Sequence, residues 1–308
     1  MTSAVVFAYH NVGARCLRVL LAHGATVPLV VTHDDDRNEA IWFERVADVA
    51  TSYGLPWIAP ADPNTPEQVA RIAALAPDFI FSFYYRRMLK PSLLALPRRG
   101  ALNMHGSLLP KYRGRAPVNW AVLHGERYTG ATLHYMAQKP DAGDIVIQQS
   151  IPILSDDTAK EVFDKVTVAA EIALDTVLPE LIAGTASRVP QDLAQGSYFG
   201  GRTAEDGRID WTCSAPQIHN LVRAVAPPYP GALTTVAGVP SRVLKTRVLA
   251  KASPASALPA VSIDDGRLVA HCGGGGTLAV DALEIDGAPV DAGLVVARFG
   301  RVPVQLGP

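Results

Sequence analysis

The sequence predicts an α/β fold, a parallel sheet with covering helices, followed by a second and β-rich domain. Three observations predict it. Short β-branched or aromatic runs alternate with helical patterns through the first half, a polar and aperiodic stretch follows Gly184, and short β-rich runs between Gly, Pro and Asp clusters fill the remainder. With 308 residues, 48% hydrophobic and 19% charged, the chain is long enough for two domains with substantial cores.

Strands are predicted at residues 4–8, 27–31, 79–83 and 101–105, each rich in residues that suit a buried pleated surface. Between them lie helices at 15–22, 40–53 and 66–76, the last opening on Pro66 and Glu67, which suit a first helical turn. Strands separated by crossover helices pair in parallel. Further strands are expected at 131–136 and 145–149, then a long helix over 159–183 that stops at Gly184. The first domain is placed at 1–184, and a connection carrying Gly196, Gly200 and Gly201 at 185–204. In the second domain, 205–308, one helix at 215–225 precedes β-rich runs at 233–236, 242–248, 268–271 and 277–280, the pattern of a small barrel or sandwich. The four glycines 273–276 read as a hairpin turn between the last two runs.

Bulk properties narrow the function. The apolar run at 4–9 is too short for a membrane span and has no basic leader, so a cytoplasmic protein is expected. A formal net charge of -1, with nine Lys or Arg against nine Asp or Glu over 205–308, offers no broad attraction for nucleic acid. His33-Asp34-Asp35-Asp36 adds an acidic stretch, read as a solvated loop. Cys16, Cys213 and Cys272 are scattered, without the paired spacing of a zinc site or a disulfide framework, and no metal is expected. The first strand runs into His10-Asn11-Val12-Gly13-Ala14-Arg15 and not into G-x-G-x-x-G, so a dinucleotide cofactor is not expected either.

The densest polar cluster, Asn103 to Arg115, begins where a predicted strand ends, which is where ligands of α/β sheets gather. Period-two geometry puts Asn103 and His105 on one side of that strand. An amide donor and an imidazole facing one reacting group suit acyl transfer: the amide N–H stabilises a developing oxyanion while the imidazole moves protons. A carboxylate that orients the imidazole and raises its pKa would complete the set, and Asp141, in Lys139-Pro140-Asp141-Ala142-Gly143-Asp144, is the candidate. Spacing alone does not join Asp141 to the strand, and Asp141 and Ser107 could equally shape local turns.

Asn103-x-His105-x-Ser107-Leu108-Leu109-Pro110, then Tyr112-Arg113-Gly114, then Asp141-Ala142-Gly143, resembles the folate-dependent formyltransferase family. The resemblance implies a Rossmann-like catalytic domain that uses 10-formyltetrahydrofolate, with Asn103, His105 and Asp141 as the catalytic trio, followed by a small OB-like barrel. It also implies donor contacts at Arg87, Met88, Leu89 and Arg115 and along Ala137, Gln138, Lys139, Pro140 and Asp141. The stretches 5–10, 81–86, 105–117, 199–203 and 219–225 are similar to the branch formed by the formyltransferase halves of bifunctional polymyxin-resistance enzymes. That similarity implies a nucleotide-linked amino sugar as acceptor, UDP-4-amino-4-deoxy-L-arabinose first among them. The decarboxylase half of those enzymes is not found in these 308 residues, which keeps other nucleotide-linked 4-amino sugars in view. Lys111, Arg113 and Arg202 form a basic set suited to a diphosphate. The alternatives are a methionyl-tRNA formyltransferase, which the charge balance disfavours, and a non-catalytic nucleotide-sugar or folate binding protein.

Overall fold

The computed structural model describes residues 2–35, 41–251, 258–300 and 302–307. The first half alternates strand and helix: β1 (Ser3–Ala8), α1 (His10–Ala22), β2 (Thr26–Val31), α2 (Val46–Ser52), β3 (Trp57–Ile58), α3 (Pro66–Ala74) and β4 (Phe79–Phe83). There follow α4 (Pro91–Leu94), β5 (Gly100–His105), β6 (Arg113–Gly114), α5 (Pro117–Leu123), β7 (Tyr128–Tyr135), β8 (Ile145–Pro152), α6 (Ala159–Ala183) and β9 (Tyr198–Phe199).

The main sheet has the order β3-β2-β1-β4-β5-β7-β8. β1 pairs in parallel with β2 and β4, and β4 with β5. The expected parallel sheet ends differently at its far edge, where β7 runs antiparallel to β5, and β8 to β7. Residue pattern marks a strand without giving its direction, and antiparallel edge strands on a parallel sheet are common. All five residues of β4 are buried, as a strand covered on both faces requires.

Two helices differ from expectation. Helix α1 starts at His10, five residues before the predicted 15, because Gly13 serves close packing rather than a turn: a Cβ there would meet Ala8 Cβ at 3.0 Å and Val46 Cγ2 at 3.1 Å. Helix α2 covers only Val46–Ser52 of the predicted 40–53. Trp42 and Phe43 instead pack their rings on His10, with centroids 4.5 and 3.9 Å away, and residue 40 lies outside the described residues. The acidic stretch is partly engaged: Asp35 pairs with Arg45 at 2.5 Å, Asp34 is exposed, and Asp36 lies outside the described residues.

The chain divides into two compact units, one of residues 1–117, 128–152 and 163–200, the other of 118–127, 153–162 and 201–308. Against the expected boundaries at 184 and 205, residues 185–200 group with the first unit. Backbone pairing explains it: Val189 bridges Ile145, and β9 pairs with β6, contacts that a polar and aperiodic sequence does not announce.

The second unit holds α7 (Ala215–Val225), β10 (Ala232–Val236), β11 (Val239–Ala250), β12 (Ala260–Asp264), β13 (Arg267–His271), β14 (Thr277–Ile285), β15 (Ala288–Val290), α8 (Ala292–Phe299) and β16 (Val304–Gly307). Its antiparallel sheet, β11-β10-β16-β12-β13-β14-β15, closes through a β11–β14 pairing into the expected OB-like barrel of six strands, with β15 on the outside. Trp211, Ile218, Val222, Val243, Leu268 and Leu278 are among the residues that fill its core. The glycine run makes the expected turn between β13 and β14, with Cys272 N donating to Gly276 O at 3.2 Å. Among the described residues no helix is long and apolar enough to cross a membrane.

Candidate active site

β5 lies between β4 and β7 in the sheet, and its last residues carry the polar cluster. Its register against β7 sets Asn103 opposite His134 and His105 opposite Thr132. Residues directly opposite share a face, so an imidazole that sequence reading missed stands beside the Asn103 amide. Asn103 Nδ2 is 3.2 Å from His134 Nε2. The other His134 nitrogen, Nδ1, faces the Tyr135 carbonyl at 2.8 Å and must carry a hydrogen, because a carbonyl only accepts. In the neutral ring Nε2 is then an acceptor for the Asn103 N–H.

Asp141 arrives from the turn between β7 and β8 with a left-handed backbone, φ 51. Aspartate tolerates that region better than most residues, and non-glycine residues held there cluster at functional sites. Its Oδ2 accepts from Gly114 N at 2.9 Å, while Oδ1 lies 3.7 Å from His105 Nδ1 and 3.6 Å from His134 Nε2. The three residues singled out by sequence are therefore brought together, with His134 as a fourth.

His105 is buried, and its Nε2 donates to the Tyr112 carbonyl at 2.8 Å. In the neutral ring Nδ1 is therefore bare and directed toward Asp141. Burial pushes the His105 ring below its ordinary value; the Asp141 carboxylate and Tyr112 carbonyl oppose this, and His134 adds to it. As expected, Asp141 pulls the His105 ring upward, but burial outweighs it and the net direction is down. For Asp141 itself burial acts to raise the carboxyl, yet His105, the His134 contact and the Gly114 N–H together hold it well below the usual carboxylate range.

The loop after β5 is tied down by short bonds. Ser107 Oγ donates to Lys111 O at 2.7 Å, a local turn, and Thr132 Oγ1 donates to Ser107 O at 2.6 Å while accepting from Leu109 N at 3.1 Å. Gln148 Nε2 adds bonds to Leu109 O and Thr132 Oγ1, both 2.9 Å.

The other predicted contact residues fall into distinct environments. Arg87, Met88 and Arg115 are exposed, as are Ala137, Gln138 and Lys139, with Pro140 half-buried. Leu89 is 4% exposed and packs in the core with Phe7, Ile80 and Leu93, so only its backbone is available to a ligand. Lys111 is exposed, whereas Arg113 is buried and its Nε and Nη1 have no hydrogen-bond partner among the described residues. Arg202 belongs to the second unit, where its guanidinium lies 4.7 Å over the Trp120 ring and its Nη2 donates to Asp206 O at 2.8 Å.

Known proteins resemble this chain in sequence profile and in fold. The sequence profile of formyl transferases matches residues 11–178, and that of the formyl transferase C-terminal domain matches 202–298. Among solved structures, the N-formyltransferase from Helicobacter canadensis, in complex with folinic acid and dTDP-3-aminofucose, superposes with a TM-score of 0.72 at 19% identity, over 91% of this chain and 99% of that one. WlaRD, a sugar 3N-formyl transferase solved in the presence of dTDP and 5-N-formyl-THF, gives 0.70 at 17% identity, over 91% and 97%. A 4-N formyltransferase from Francisella tularensis gives 0.61 at 18%, over 75% and 91%. At such identities the likeness is one of fold.

Proposed function

Because the chain belongs to the formyl transferase family, we propose that it moves the formyl group of 10-formyltetrahydrofolate to the amine of a nucleotide-linked 4-amino sugar. The meeting of Asn103, His105 and Asp141 at the end of β5 carries this reading. UDP-4-amino-4-deoxy-L-arabinose is the acceptor we put first, on the similarity of residues 105–117, 199–203 and 219–225 to enzymes of that branch. That choice makes the protein a cytoplasmic enzyme of lipopolysaccharide modification, of the kind that underlies polymyxin resistance. Among the solved relatives, a complex with dTDP-3-aminofucose and a protein named as a sugar 3N-formyl transferase support a nucleotide-linked amino sugar more generally.

In this mechanism the neutral sugar amine attacks the formyl carbon and the carbonyl oxygen becomes an oxyanion. One Asn103 Nδ2 hydrogen is engaged by His134, and the second meets that oxyanion. His105, neutral through burial, takes the amine proton at Nδ1, directly or through water, where Asp141 stabilises the imidazolium. The proton then passes to the departing folate nitrogen as its bond to carbon breaks, leaving a formamide and tetrahydrofolate. Arg87, Met88, Arg115 and residues 137–141 hold the donor, the exposed side chains of Arg87, Met88, Arg115, Ala137, Gln138 and Lys139 being open to a ligand, and Lys111 and Arg113 serve the diphosphate.

Mass spectrometry of UDP-4-amino-4-deoxy-L-arabinose incubated with enzyme and donor tests the proposal, beside His105→Ala and a panel of dTDP- and GDP-linked 4-amino sugars. A formyl mass gain that His105→Ala abolishes supports site and acceptor together. Product from another sugar alone replaces the acceptor, and no product from any sugar overturns the reading.

A further inference from the structure

Asp141 faces both imidazoles from a turn held in a strained shape. Its φ of 51 lies in the left-handed region, and Gly143 passes so close to β7 that a Cβ would stand 2.0 Å from Tyr135 O. The side chain that grips this turn comes from the polar segment after α6. Gln191 Nε2 donates to Asp141 O at 3.1 Å and to Gly143 O at 2.6 Å. The orientation of the amide is fixed by chemistry, since only an NH2 group can face two carbonyls. Its Oε1 is buried without a hydrogen-bond partner among the described residues, so the hydrogen bonding of this side chain is all on the donor side. The segment is itself anchored two residues earlier, where Val189 and Ile145 exchange both backbone bonds at 2.8 and 2.9 Å.

We infer that Gln191 is a positioning residue of the active site, whose amide clamps the 141–143 turn and thereby keeps the Asp141 carboxylate against His105 and His134. The consequence of clamping rests on the formyl-transfer reading, but the clamp can be measured without it. The titratable groups acting on His105 are Asp141, which raises its pKa, and His134, which lowers it. A carboxylate that recedes must therefore lower the His105 titration midpoint.

The test is the His105 ring signal followed by NMR through pH in wild type, Gln191→Met, Asp141→Asn and the double variant. Methionine keeps length and bulk while removing both N–H donors. The expected result is a lowered midpoint in Gln191→Met that the double variant shares with Asp141→Asn, because the two substitutions break one interaction. An unchanged midpoint in Gln191→Met, or full additivity in the double variant, overturns the inference. If Gln191→Met does not fold, Gln191→Asn, one methylene shorter, is read in the same way. Once wild-type formyl transfer is observed, kcat in the variant falls by roughly tenfold to a hundredfold while both KM values stay within about twofold; unchanged kcat also counts against the inference. Absence of wild-type activity would sink the functional reading alone and leave the titration to decide on Gln191.

Discussion

Asn103 and His134 face each other across β5 and β7, with Nδ2 and Nε2 3.2 Å apart. The imidazole fixes which way the amide points and occupies one of its two hydrogens. Removing the amide removes an oxyanion donor from a site where nothing else on β5 replaces it. Asn103→Ala is therefore expected to lower kcat about a hundredfold or more with little change in KM, measured by steady-state kinetics. A near-normal rate would contradict the oxyanion role.

His134→Phe keeps a ring of similar bulk but loses both nitrogens. The Asn103 amide is freed, and the Tyr135 carbonyl loses its Nδ1–H donor. We expect kcat to fall by roughly tenfold to a hundredfold through misplacement of the amide, and stability to drop by about 1–3 kcal/mol for the carbonyl left unpaired. Loss of stability with unchanged kcat would reduce His134 to a structural residue.

The pH profile should report His105. Its ring must be neutral to accept a proton, and burial sets its pKa below the ordinary value of 6.5. The acid limb of kcat/KM is thus expected below that value, with activity falling as pH drops through it. Asp141 raises the His105 pKa, so Asp141→Asn moves this limb to still lower pH and also lowers the plateau, since the imidazolium loses its counter-charge. A limb that moves upward in Asp141→Asn would reverse the assignment of roles.

Sequence pattern made half of this site legible. Asn103 and His105 are two residues apart on a strand, and period two alone sets them on one face. Gly184, with φ 78, ends α6 where composition placed the stop. His134 was hidden because its partner across the sheet depends on which strand pairs with β5 and in what register, and a local pattern carries neither. Asp141 was reached through the family motif rather than spacing, since a turn residue at φ 51 looks like any other Asp before Ala-Gly. Gln191 was concealed in a stretch whose polarity reads as a loose connection, although two backbone bonds and one amide fasten it to the sheet.

Stability should fall on mild acidification. His33 is stacked on Tyr85 with centroids 4.1 Å apart, and its Nε2 accepts from Arg86 N at 3.0 Å. Burial, with Arg87 and Arg86 nearby, lowers its pKa from 6.5 to about 4. His105 and His219 are likewise lowered, burial being the largest cause in each. Between those values the unfolded chain binds more protons than the folded one, so stability is complete above pH 6.5 and is lost as pH falls toward 4. Thermal midpoints measured from about pH 7 to about pH 4.5 should decline, and less steeply in His33→Gln, which keeps an acceptor for Arg86 N but does not titrate. An equal slope in the variant would remove His33 as a cause.

Arg99 offers a stability test away from the chemistry. Helix α6 ends at Ala183, and its last carbonyls need partners that the helix itself cannot supply. Arg99 provides them, Nη1 donating to Ile182 O at 2.9 Å and Nη2 to Leu181 O, with its guanidinium 4.8 Å over the Phe79 ring. A cation at a helix C-terminus also opposes the negative end of the helix dipole. Arg99→Met keeps part of the apolar stem and deletes the donors, so a loss of about 1–3 kcal/mol is expected, read as a lower denaturation midpoint. The acid limb of kcat/KM should stay in place, because Arg99 is not among the groups that shift His105 or Asp141. A variant as stable as wild type would show that water caps α6 equally well.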